Sequence, residues 1–529
     1  MTGDLFAPPV SGEVILSHLD EEERYRRFDQ LQARMSTVWD AMRLNHPDES
    51  VVVIPSITLD RAVAASGSIA QSYEERFLFL LMLLRQPRLR MVYVTSLPIA
   101  PEIIEYYLAL LPGVIPSHAR SRLSLISVND ASPRSLSEKL LERPQLLARI
   151  AALIPNRSRS HVVPYNTTEL ERDVSLSLGI PMYGADPRLA PLGSKSGCRR
   201  LFDDVGVPHP LGVENLRTVD DLTDAVLAMR AQRPAMDSAI VKLNEGVSGE
   251  GNALVRLSGL PSPGSVEEAA AVRERLLAME LESRTTPLEV YLAKFAEGAG
   301  IIEERIVGEE VRSPSVQLRV LPGGSVELLS THDQLLGGAS GQSYLGCTFP
   351  AAPEYARTIT AHAESIGRRL ADQGALGRFA IDFVVVRGVD DAWVAYAIEL
   401  NLRKGGTTHP FLTLQFLTDG RYDPVTALFL TPRGHEKHLV ATDHLESELL
   451  RGLTVSDLFD VVARHGLHFD QSRQVGIVFH MISCLTEHGR IGLTAVGDSA
   501  TEANRRYHEA ERILLEEARL ALQERALPG

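Results

Sequence analysis

Short apolar runs separated by amphipathic stretches set the rhythm of the first third of the chain. Residues 51–54, 90–95, 123–128 and 161–163 are brief, nearly continuous hydrophobic runs, the mark of strands buried on both faces. Helical patterns lie between them: 73–85, a stretch opened by Pro101 that ends near Pro112-Gly113, 135 to 153, and 167–178 with Gly179 as its stop. An acidic helical stretch, 19–42, precedes the first run. Strands alternating with helices predict a parallel, doubly wound sheet, so residues 1–180 read as one α/β domain with an N-terminal helix.

From residue 180 the pattern changes. Longer strands with β-branched residues, at 239–242, 253–257, 300–306, 315–321, 325–329, 380–386 and 393–400, predict an α+β region with antiparallel pairing over 181–430. A break at 424–434 leads into a small α+β domain, 431–529. It holds a helix at 455–464, a hairpin of 476–484 with 492–495, and a closing amphipathic helix at 501–525. No internal repeat or low-complexity tract interrupts this plan.

Composition narrows the function classes. With 529 residues the chain is too long for one core. Lys and Arg number 54 against 68 Asp and Glu, a formal charge of −14, which argues against a nucleic-acid partner. The longest apolar run, 77–84, is far short of the ~20 residues that span a bilayer, so no membrane partner is expected. Cys198, Cys347 and Cys484 are widely spaced, which gives neither a zinc motif nor a disulfide framework. The beginning lacks the basic-then-apolar order of a signal peptide, and a cytoplasmic location is the expectation.

Four segments carry chemistry. In Arg378-Phe-Ala-Ile-Asp382 and Ala397-Ile-Glu399-Leu-Asn401-Leu-Arg403, residues two apart share a strand face, which aligns Glu399, Asn401 and Arg403. A hairpin through 387–391 would bring Asp382 alongside. Three hard oxygen donors in one patch suit Mg²⁺ bridging phosphates; acids on the wet face of a two-sided strand are the plainer alternative. Lys242 ends a strand and precedes Asn244-Glu-Gly246-Val-Ser248-Gly249-Glu-Gly251-Asn252, a glycine-rich turn whose amides could meet phosphate oxygens. It is neither a P-loop nor a dinucleotide fingerprint, and a flexible hairpin with an exposed lysine reads equally well. Lys195, in Gly193-Ser-Lys-Ser-Gly, looks by itself like a solvated helix-start lysine. Ile301-Ile-Glu303-Glu304-Arg-Ile306-Val-Gly-Glu-Glu310 is a strand and turn rich in acids.

Taken in order, these elements resemble the ATP-grasp superfamily, the fold of D-alanine–D-alanine ligase, biotin carboxylase and glutathione synthetase. A lysine ahead of Gly206-Val-Pro-His-Pro210, a second lysine with a glycine loop, the acidic hinge at 301–310 and the Asp…Glu-Leu-Asn pattern follow the superfamily's sequence. More narrowly, the chain looks like the peptide ligases of the pheganomycin biosynthetic type. Ser330-Thr-His-Asp-Gln334, Gly341-Gln-Ser-Tyr-Leu-Gly-Cys347, and the tail from Gly476 to Ser483 with Gly489-Arg-Ile-Gly-Leu-Thr494 carry that match.

The resemblance implies a pre-ATP-grasp domain, a two-lobed ATP-grasp domain and a small C-terminal domain. It implies that Lys195 and Lys242 contact ATP phosphates, with Gly246, Ser248, Gly249 and Gly251 in a lid. Glu303, Glu304 and Ile306 would hold adenine, and Glu310 the ribose. Asp382, Glu399 and Asn401 would hold two Mg²⁺ ions, and Arg403, Arg319 or Arg378 would stabilise the reacting acyl centre. His332, Asp333, Gln334 and His480 are substrate candidates, each histidine weighed against a structural role. The implied reaction joins a small-molecule carboxylate to the amine of an amino acid or peptide through an acylphosphate, in natural-product biosynthesis. Homodimers are usual among such ligases. An ATP-grasp kinase or carboxylase, and a non-catalytic nucleotide-binding protein, are the rival readings.

Overall fold

The computed structural model describes residues 16–44, 48–58, 72–246, 251–283, 285–337, 343–388 and 390–526. The first four apolar runs are strands β1 (Ser50–Ile54), β2 (Arg90–Thr95), β3 (Leu123–Ser127) and β4 (Ser160–Pro164), paired in the order β3-β2-β1-β4 and all parallel. Strand alternation splits their side chains between two cores. Val52, Ile54, Val92 and Val162 pack with Phe28, Leu140, Ile150 and Val174, whereas Val51, Val53, Met91 and Tyr93 pack with Phe77, Leu80 and Ile104. Helices therefore cover both faces, as the doubly wound pattern predicts.

Two long helical stretches break where local chemistry demands it. The 135–153 stretch becomes Leu136–Leu141 and Pro144–Ala152, because Pro144 cannot donate and its predecessor Arg143 takes an extended φ of −124°. The 19–42 stretch becomes Glu21–Gln32 and Met35–Leu44. The 73–85 stretch is a tight 3-10 run, Arg76–Arg85.

Next comes a five-stranded sheet of β5 (Gly212–Leu216), β6 (Ser238–Leu243), β7 (Asn252–Arg256), β8 (Glu280–Leu281) and β9 (Gly300–Glu304), ordered β5-β9-β6-β7-β8 and antiparallel throughout. A larger sheet then assembles from β10 (Val311–Arg312), β11 (Pro314–Val320), β12 (Val326–Gly337), β13 (Ser343–Phe349), β14 (Gly377–Arg387) and β15 (Trp393–Asn401). A short ribbon follows, β16 (Arg421–Asp423) with β17 (Leu428–Leu430).

Strands β18 (His438–Glu446), β19 (Gly476–His480) and β20 (Arg490–Gly497) do not form a separate sheet, as a small C-terminal domain would suggest. They extend the larger one through β13, with Cys347 opposite Ala441, giving nine strands. Local patterning reads each strand, but the join pairs segments nearly a hundred residues apart and leaves no periodic trace. One core continues from Leu78 through Phe349 and Phe411 to Leu493 and Leu514. All three cysteines are buried and unbridged. No helix of the described residues is long and apolar enough to cross a membrane.

Candidate active site

The two antiparallel sheets face each other across a cavity of about 520 Å³, within the size range of small-ligand sites. Its floor is the β14–β15 hairpin. Asp382 lies directly opposite Glu399, with Ser315 of β11 on its other side, so three strands present a polar row on one face. Asn401 pairs with Ala380 one step along, and its Nδ2 donates to Asp382 Oδ2 at 3.0 Å. Gln334 of β12 donates to Asp382 Oδ1 at 2.9 Å. Burial and the facing Glu399 carboxylate push Asp382 up to about 6. Burial pushes Glu399 upward too, but Lys195 and Arg403 outweigh it and hold that carboxyl below its ordinary value.

The cations come from the other elements. Lys195 is the first residue of the helix Lys195–Asp204, capped by Ser194, and its Nζ pairs with Glu399. Lys242, near the end of β6, places Nζ 2.6 Å from Glu303 Oε1. Asn244, at the mouth of the glycine loop, ties the two together. Its Oδ1 accepts from Ser196 N at 3.0 Å and Ser196 Oγ at 2.7 Å, and its carbonyl accepts from Lys195 N at 3.2 Å. Gly246 and Gly251 border the cavity, while Ser248 and Gly249 lie outside the described residues.

Glu303 and Glu304 also line the cavity, but their carboxylates are occupied by protein. Glu303 bridges Lys242 and Arg199 Nη1, the latter at 3.2 Å, and Glu304 accepts from Leu211 N at 2.9 Å and Arg233 Nη1 at 2.5 Å. Past β9 the backbone leaves the sheet, and Ile306 to Gly308 forms the cavity rim.

Several expected residues fall elsewhere. Glu310 is outside the lining, paired with Arg312 at 2.6 Å and Arg387 at 2.9 Å. Arg319 and Arg378 face each other across β11 and β14, where Arg319 binds Glu327 at 2.5 Å and stacks 5.4 Å from the Trp39 ring. They share the face of Asp382, but four residues of extended strand is about 13 Å, which removes them from the cavity. Burial pushes Arg378 down to about 10. His332 is enclosed by Phe349 and Phe411, bonded to Ser330 Oγ at 2.9 Å, and burial pushes it down to about 3. Asp333 accepts from Ala352 N and Tyr355 OH at 2.9 and 2.7 Å, which pins a loop rather than a ligand. His480 sits behind the cavity wall on Asp443 Oδ1 at 2.7 Å.

Arg403 does line the cavity, its Nη1 donating to Tyr165 OH at 3.2 Å. Beyond it, residues that the strand patterns did not single out close the far end: Tyr73, Arg76 and Tyr165 from the first domain, and Asp443 and His444 from β18. An acid just after the apolar 439–441 run was the available signal for Asp443, and a charge opening the apolar 77–84 run was the signal for Arg76.

Residues 267–424, which include the β14–β15 floor, match the family described as IQCH-like, ATP-grasp, and residues 457–510 match the PGM1 C-terminal domain. An L-propargylglycine–L-glutamate ligase from Streptantibioticus cattleyicolor is 28% identical over 455 residues, covering 83% of this chain and 89% of that protein. An N5-carboxyaminoimidazole ribonucleotide synthetase solved with ADP superposes with a TM-score of 0.51 at 11% identity, over 89% of this chain and 98% of that one. The biotin carboxylase of Campylobacter jejuni, solved as a β,γ-ATP complex, gives 0.51 at 13% identity, over 90% and 96%. At such identities these two likenesses speak for the fold alone.

Proposed function

We infer that this chain, a member of the ATP-grasp superfamily, is an ATP-dependent carboxylate–amine ligase that forms an amide bond by way of an acylphosphate. The observation that carries the reading is the Ser315–Asp382–Glu399 row with Asn401 beside it, where buried Lys195 pairs with Glu399 and buried Lys242 lines the same nucleotide-sized cavity. The 28% identical relative, named for a ligase joining two amino acids, supports the same reaction class.

The donor set fits Mg²⁺. Two carboxylates and an amide oxygen converge on one face, and burial beside Glu399 pushes Asp382 up to about 6, a strain that a bound cation would relieve. Asp382, Glu399 and Asn401 would hold the metal, two ions being the superfamily's number. Bound there, Mg²⁺ would supply positive charge that neutralises phosphate oxygens.

The chain's own groups then divide the work. Lys195 and Lys242 are positioned to take phosphate oxygens, with Gly246 and Gly251 bordering the same cavity. The rim from Ile306 to Gly308 offers main-chain groups to an adenine edge. With the acid's carboxylate held against the γ-phosphorus, oxygen attack forms the acylphosphate and releases ADP. The amine nitrogen then adds to the acyl carbon, phosphate leaves, and the nitrogen loses a proton. Arg403 faces the developing oxyanion from the Tyr165 side of the cavity.

The test is a coupled assay of full-length protein with ATP, Mg²⁺ and pools of amino acids and peptides. ADP release that needs both an acid and an amine, with a product at the summed mass less water, is expected. Bicarbonate-dependent ADP release or a phosphorylated product would replace the ligase with a carboxylase or kinase. Light scattering of the same sample checks the homodimer that this reading carries with it.

A further inference from the structure

The end of the cavity remote from Ile306 has its own architecture. Arg76 is 5% exposed, and its guanidinium carbon lies 4.8 Å from the Tyr73 ring centroid and 6.0 Å from that of Tyr165. Arg403 approaches the same Tyr165 ring at 5.8 Å. Arg76 Nη1 donates to Asp443 Oδ2 at 2.5 Å. Asp443 Oδ1 is clamped in turn by His480 at 2.7 Å and His409 at 3.3 Å. Burial pushes the Asp443 carboxyl up, but Arg76 and the imidazoles outweigh it and hold it well below its ordinary range. One edge of the guanidinium is therefore fixed. Its Nε has no partner, and no acceptor among the described residues meets Nη2. A buried guanidinium with a donor left open is costly unless something in the cavity accepts from it, and a carboxylate supplies the matching charge.

We propose that this end is a carboxylate subsite in which Arg76, between Tyr73 and Tyr165, holds a carboxylate of the amine-bearing substrate. The acceptor is then an amino acid or short peptide with a free carboxyl group. The inference rests on the ligase reading. The reacting carboxylate has to lie by Asp382 and Glu399 at the phosphate end, so a carboxylate at Arg76 belongs to the other partner. Its amine then points back toward Arg403 and the acyl carbon. Ile57 and Tyr165, which follow β1 and β4, form the adjoining wall. They stand beyond the carboxyl ends of the strands where the sheet order reverses, the place where open α/β sheets bind ligands.

The test compares the twenty amino acids with their α-carboxamides as acceptors for full-length protein with ATP and Mg²⁺, scored by amide product. The free acids are expected to exceed the carboxamides in kcat/KM by roughly 10–100-fold, the range of a charge-assisted hydrogen bond. Arg76→Met is expected to raise KM for the free acid by a similar factor and to erase the preference, with KM for ATP unchanged. Arg76→Lys should fall between. Equal use of acids and carboxamides by the natural chain would overturn the subsite, and that comparison stands even if Arg76→Met fails to fold. Discrimination that persists in Arg76→Met would also overturn it. No amide from any amine would overturn the ligase reading itself, and the subsite with it.

Discussion

Asp382→Asn separates the cost of the metal patch from its use. In the folded chain Asp382 is pushed from the usual 3.8 up to about 6. Between pH 4 and 6 the folded state therefore holds a proton that the unfolded state has lost. Stability falls as pH rises through that window and stays lower above it. Two units correspond to roughly 3 kcal/mol at pH 8. Asn removes the charge, but it cannot accept on both sides as Asp382 does from Asn401 and Gln334, which costs about 1 kcal/mol. The net gain is about 2 kcal/mol at pH 8, an upward melting shift of roughly 4–8 °C in metal-free buffer. At pH 5, midway through that window, only about half of the penalty has accrued, so the gain should shrink to below about 1 kcal/mol. Mg²⁺ and ADP should restore the balance. At a hundredfold excess over Kd they stabilise the natural chain by about 2.7 kcal/mol, while the variant gains far less and makes no ADP. Thermal melts at pH 5 and 8, with chelator and with Mg²⁺ADP, measure all of this. A variant less stable at pH 8 than its parent, or one with full ATP turnover, would refute the reasoning.

Other perturbations follow from the same geometry. Arg378→Met removes a buried cation whose Nη1 has no partner, so stability should hold or rise by about 1 kcal/mol; ADP formation should stay within about threefold, and a loss beyond tenfold would return Arg378 to the chemistry. Arg319→Ala should likewise leave ADP formation within about threefold, measured at saturating ATP. Gly300→Ala would put a Cβ 2.4 Å from Lys242 O and 2.3 Å from the Phe295 ring. That overpacking should cost roughly 1–3 kcal/mol in a melt and raise KM for ATP by displacing Lys242.

The parts of the site legible in the sequence are those that short-range geometry fixes. Two-residue alternation and one hairpin place Asp382, Glu399 and Asn401 together, and both relations are visible within 20 residues. The same alternation puts Arg378 on the correct face yet is blind to distance along the strand, which is why Arg378 and Arg319 read as catalytic, although Arg319 stands over Trp39 and Arg378 lies opposite Arg319. Glu303 and Glu304 look free for a nucleotide until Arg199, Lys242 and Arg233 arrive from other elements. The far wall was the least legible: Arg76 and Asp443 are 367 residues apart, and only the folded chain joins them. The join of β13 to β18 escapes the sequence for the same reason.

The central claim is amide formation through an acylphosphate, and oxygen transfer tests it most directly. An acid substrate carrying ¹⁸O in its carboxyl group is incubated with the full-length chain, ATP, Mg²⁺ and the amine it couples. Attack of that carboxylate on the γ-phosphorus predicts one ¹⁸O in the released phosphate for each amide formed, with ADP as the nucleotide product. Phosphate free of label alongside amide product, or label recovered in AMP, would contradict it.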